Sequence, residues 1–70
     1  MSELYSIDVS SLEIRKEPSE PSRVCLKYET VVKRLDNKSR QYRKEEWILI
    51  STVYGPIISG YVPKKYLRKL

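Results

Sequence analysis

The feature that most constrains this chain is an absent period. No stretch of about ten residues repeats its apolar side chains at the 3.6-residue spacing of an amphipathic helix, while short stretches alternate apolar and polar at every second position. Period two is the signature of a strand with one buried face. Residues 4–9 alternate in this way, with Tyr5, Ile7 and Val9 as the apolar face. After Ser10 and Ser11 the pattern resumes, with Leu12 and Ile14 set against Glu13 and Arg15. Residues 16–22 then carry Pro18 and Pro21 and read as a stiff, ordered loop, because proline cannot sit in a central strand.

Residues 23–28 return to alternation, with Val24, Leu26 and Tyr28 on one side, and Val31, Val32 and Leu35 follow as a second short strand or the continuation of a bent one. Residues 36–46 are polar throughout except for Tyr42 and open on Asp36-Asn37, a turn signal, so they are expected to form the longest loop. Residues 47–53 are the strongest strand, apolar enough at their start to be buried on both faces, and are expected at the sheet centre. Tyr54-Gly55-Pro56 marks a turn and residues 57–62 return as the second arm of a hairpin, in which Gly60 signals a bulge or a close backbone approach. Pro63 ends that strand, a single helical turn follows, and residues 68–70 add a last short strand. Lys64 and Lys65 face water in such a turn, leaving Tyr66 and Leu67 to return to the core or form a surface shelf. About five short strands in 70 residues imply an all-β fold, a small and strongly bent barrel.

Composition narrows the chemistry. Seventy residues make one domain, with residues 1–3 expected to be loose, and folding at this size removes only about 60% of the chain's surface from water. The single cysteine, Cys25, has no internal disulfide partner and lies in an apolar stretch as an expected core residue. With no histidine, no Cys/His metal cluster or catalytic pair can be built; the carboxylates show no opposed spacing, and no phosphate loop or nucleophile elbow occurs. No catalysis and no cofactor are therefore expected. There is no secretory leader pattern and no apolar run long enough to span a bilayer, so the chain as given is expected in the cytoplasm, as a monomer, unless it is a piece of a longer protein. The net charge of +5 creates a field that attracts nucleic acid, anionic lipid or acidic protein.

From residue 10 to residue 70 the chain resembles the bacterial SH3 family. Members commonly begin with Leu-x-Val-Arg-x-x-Pro-Ser, matched by Leu12-Glu13-Ile14-Arg15-Lys16-Glu17-Pro18-Ser19. Arg23-Val24 matches a following valine strand, residues 30–35 a second alternating strand, and Trp47 the tryptophan that opens the central strand. The ending Gly-aromatic-Val-x-x-x-Tyr-Leu is matched by Gly60-Tyr61-Val62-Pro63-Lys64-Lys65-Tyr66-Leu67. Pro63 also looks like the ending of eukaryotic SH3 domains, where the proline and tyrosine line a peptide groove, although the Ala-Leu-Tyr-Asp-Tyr opening of that branch is absent.

The resemblance implies a five-stranded SH3-like barrel with a 3-10 turn before the last strand. It places residues 16–22, residues 36–46 and the turn at residues 63–66 around one groove. Trp47 is either a core residue of its strand or the floor of that groove, Pro63 and Tyr66 complete an apolar platform, and Tyr5 stands in for one of the missing aromatics. On the rim, Glu17, Glu20, Glu45 and Glu46 suit a basic ligand, while Lys38, Arg40, Arg43, Lys44, Lys64 and Lys65 suit an acidic one. The implied function is a non-catalytic module that binds an extended peptide or protein partner. Peptidoglycan binding is an alternative, since many bacterial SH3 domains sit on cell-wall hydrolases. So is nucleic-acid binding by a basic SH3-like barrel, although aromatic and basic residues stand apart along the chain. A purely structural or oligomerising role is the remaining class.

Overall fold

A computed structural model describes residues 3–70 of the chain. Seven strands occur among them: β1 (Leu4–Ile7), β2 (Ser11–Glu13), β3 (Cys25–Lys27), β4 (Val31–Tyr42), β5 (Glu45–Thr52), β6 (Ser59–Pro63) and β7 (Leu67–Lys69). A 3-10 turn, Lys64–Tyr66, separates the last two strands, as Pro63 predicts. The fold is all-β, and no helix among the described residues is long and apolar enough to cross a membrane. The strands form an open five-stranded sheet in the order β6-β5-β4-β1-β7 and a separate β2-β3 pair.

The core lies between these sheets. Ile7, Val32, Ile48, Ile50 and Val62 lose all contact with solvent, and Leu12, Ile14 and Leu26 from the β2-β3 side close over them. A backbone bond ties the layers together, the Arg15 N–H just after β2 donating to the Tyr61 carbonyl of β6 at 3.0 Å. Tyr66 and Leu67 pack back against the core, while Lys65 is exposed. Of the expected loose terminus, residues 1–2 lie outside the described residues. Residue 3 is held, because the Glu3 carbonyl accepts the Arg34 N–H at 3.0 Å.

Two expectations are corrected and one is refined. Residues 36–46 are not a loop: β4 continues through them and pairs with β5, Ser39 opposite Ile48, Arg40 opposite Trp47 and Tyr42 opposite Glu45. Ladder bonds use backbone groups and are indifferent to polar side chains, so an exposed hairpin can be built from a hydrophilic run. The Asp36-Asn37 signal marks a register shift between Arg34 and Ser39, where the Asp36 carboxylate accepts the Lys38 N–H at 3.1 Å. The reversal comes later, at Arg43 (φ 51°) and Lys44 (φ 65°), both in the left-handed region that closes two-residue hairpins. Second, the middle of the five strands is β4, and β5 lies next to it as an interior strand between β4 and β6. Third, Cys25 is exposed, since in the short β2-β3 ladder Leu26 meets Leu12 inside while Cys25 pairs outward with Glu13; Val24 and Tyr28, beyond the strand ends, are exposed too.

Candidate ligand-binding groove

Gly60 positions the site. A Cβ at Gly60 would stand 2.6 Å from the Arg15 carbonyl oxygen and 2.9 Å from Ile14 Cγ1, so only glycine lets the chain after β2 lie against the β6 edge. There Arg15 and Tyr61 form a backbone bridge. The Arg15 side chain crosses the outer face of β5, its guanidinium 5.1 Å from the Trp47 ring centroid. Trp47 occupies that face with Arg40 beside it on β4 and Pro63 beside it on β6.

Two hollows open on this face and share Arg15, Glu45 and Trp47. One, of about 230 Å³, is completed by Leu12, Glu13, Pro63 and Tyr66. The other, of about 360 Å³, is completed by Ser19 and Pro21 from the proline loop and by Tyr42 and Arg43 from the β4-β5 hairpin. Trp47 lies on the face of β5 turned away from the core cluster. It is only 5% exposed, yet it lines both hollows. Its indole Nε1 is buried and has no hydrogen-bond partner among the described residues, and Arg15 Nε shares that condition. Unpaired buried donors are costly and uncommon. Tyr42 holds the indole edge-on, with ring centroids 6.3 Å apart at 72°.

Glu13 and two of the four rim carboxylates, Glu17 and Glu45, are engaged internally. Glu13 accepts the Ser22 backbone N–H and pairs with Arg15 at 3.2 Å, while Arg15 also donates to the Pro18 carbonyl at 2.6 Å, which fixes the proline loop. The Ser22 N–H holds the Glu13 carboxyl below its ordinary value of 4.5; partial burial opposes this and Arg15 adds to it. Glu17 pairs with Arg40 beside the two hollows, joining the proline loop to β4. Glu45 pairs with Lys65 at 2.6 Å, and that hydrogen bond raises the Lys65 ammonium above its ordinary 10.5.

The predicted site residues separate accordingly. Trp47, Pro63, Tyr66 and Arg43 line the two hollows, and Arg40 and Glu17 meet in an adjoining depression. Glu46 sits beside Lys44 and Lys64 at the far side of the hairpin turn, and Glu20 is exposed, its N–H bonded to the Glu17 carbonyl at 2.9 Å. Tyr5 is placed in the core instead: it is 4% exposed on β1, beyond β4 from the groove, and donates its hydroxyl to Glu3. That bond lowers the Glu3 carboxyl and raises the Tyr5 phenol.

Arg15 and Tyr42 were not anticipated as groove residues. Tyr42 carried a signal as the lone apolar residue in a polar run; Arg15 carried none, since its place depends on Gly60 far along the chain. The separation of basic and aromatic residues along the chain also fails in space. Arg15 lies 5.1 Å from the Trp47 ring and Arg40 of β4 reaches over β5 to 5.3 Å from the Tyr61 ring, while Arg43 and Lys65 lie over their sequence neighbours Tyr42 and Tyr66 at 5.4 and 5.0 Å. Comparison with family models, curated proteins and solved structures returned no match to this chain.

Proposed function

We propose that the chain is a non-catalytic SH3-like recognition module that binds an extended peptide or protein segment across the outer face of β5. In this reading the β2-β3 pair and Arg15 fold over the β6 edge to complete a small barrel. The strand order, the 3-10 turn before β7 and the bridge from Arg15 to Tyr61 support it. The observation that carries the function is the convergence of Trp47 with Pro63 and Tyr66, from the next strand and the turn after it, on one open hollow beside a second that shares the same indole. Rigid rings and a proline offer apolar area at little entropic cost. The buried indole N–H is a donor for which a ligand's backbone carbonyl is a natural acceptor.

Trp47 is the chain's only tryptophan, so its emission reports on this groove alone. Peptides selected on the immobilised domain should change that emission saturably, and Tyr66→Ala should weaken the titration while leaving the fold intact. Selected binders that leave the emission unchanged would place recognition elsewhere.

A further inference from the structure

The sequence leaves the sign of the ligand's charge open; the pairing of the rim side chains resolves it. Glu13, Glu17 and Glu45, the carboxylates nearest the two hollows, are each held by a partner: Arg15, Arg40 and Lys65. These pairs neutralise one another and offer little to a ligand. Among the described residues, no ion pair engages Arg43, which lines the larger hollow, or Lys44 and Lys64, which line a neighbouring hollow that meets the groove at Glu45. Two carboxylates stand beside the lysines: Glu45, held by Lys65, and Glu46, which strand alternation sends to the opposite face of β5 from Trp47.

A basic groove could equally suit a nucleic acid, but the rings argue against it. Binding a single strand by stacking needs open aromatic faces. Here Trp47, Tyr61, Tyr42 and Tyr66 each already carry a cation, from Arg15, Arg40, Arg43 and Lys65. Each ring already has one cation against it, so stacking is the less favoured use of this surface and its positive charge is what a ligand would meet. What this surface lacks is an acceptor with negative charge, delivered on a chain narrow enough to lie between the proline loop and the hairpin.

We infer that the groove is selective for acidic extended peptides, with Asp or Glu side chains directed at Arg43, Lys44 and Lys64. This rests on the groove reading above and adds the class of ligand to it. Such exposed contacts act mainly on selectivity and association rate, each changing affinity about 1.4- to 5-fold.

The test is a selection of displayed random short peptides on the whole chain, followed by titration of the unmodified protein with Trp47 emission as readout and with a single-stranded oligonucleotide in parallel. Enrichment of Asp and Glu is expected, with affinity falling on the order of ten-fold when Arg43→Glu and Lys64→Glu are combined, and a preference for Lys- or Arg-bearing peptides appearing in that variant. Basic or charge-neutral winners that still perturb Trp47 would overturn the charge selectivity and leave the groove standing. Winners that never perturb Trp47 would overturn both. An oligonucleotide that binds more tightly than every peptide, with a steep loss on adding salt, would overturn the inference in favour of nucleic acid.

Discussion

The two halves of β4 belong to one strand and do different work. In the first half Val32 is fully buried and pairs with β1 on one side and β5 on the other, so backbone and side chain are both committed to the fold. Past the register shift, residues 39–42 pair with β5 only, and Arg40 and Tyr42 turn their side chains to the groove. The first half is constrained by core packing, the second by the ladder and by surface contacts of Arg40 and Tyr42. The contrast teaches that a hydrogen-bonded hairpin can carry a recognition surface out from a small core without adding to that core. Substitutions should then fall into two groups, those that lower stability and those that alter the groove.

The largest effect should come from the core beneath the first half. Ile50→Ala, opposite Arg34, removes a fully buried side chain and is expected to cost about 2–5 kcal/mol by chemical denaturation, enough to unfold much of a domain this small. A cost below about 1 kcal/mol would mean that the inner face of β5 is not the packed centre. Gly60→Ala should come next, at about 1–3 kcal/mol, because its methyl meets backbone and not a flexible side-chain end. It also crosses the boundary between the groups, since displacing Arg15 should change Trp47 emission even in folded protein. Unaltered emission would separate Gly60 from the groove.

In the outer half the expected effects are smaller and one reverses sign. Lys44→Gly should stabilise the protein by about 0.5–1 kcal/mol, because glycine accepts φ 65° without a Cβ penalty. Destabilisation there would argue for a different turn. The smallest effect is in the proline loop. Glu13 has its carboxyl held below the ordinary value, so its contribution is present above about pH 4.5 and is lost as pH falls through the lower folded value. Glu3 is lowered as well and acts in the same direction, so Glu13→Gln should flatten only part of the acid limb of a stability–pH curve. An unchanged limb would show that the Ser22 contact does not hold in solution.

The same division explains what could be read in advance. Gly60 and Pro63 were legible because each imposes a backbone restriction, and both fall where the chain makes a close approach or ends a strand. Leu12, Ile14, Ile48 and Ile50 were legible from alternation, and all four are buried. Residues 36–46 were not, because their pairing is made by backbone atoms and their reversal by Arg43 and Lys44, which lack the Asn-Gly or Gly signature of such turns. Cys25 misled because a three-residue strand is too short for alternation to settle which face is inward. In the site, Trp47, Pro63 and Tyr66 were recognisable from their resemblance to a groove; the pairing of every near carboxylate depends on contacts across three separate segments.

The most direct test of the groove is the indole N–H signal of Trp47 in a labelled sample titrated with a selected peptide. Its resonance should move strongly as Nε1 gains an acceptor, together with signals from Arg15, Tyr42 and Tyr66, while amides of Leu4–Ile7 stay in place. A stationary indole signal, with the shifts gathered instead around Lys33, Arg68 and Lys69 on the β1 side, would contradict the account.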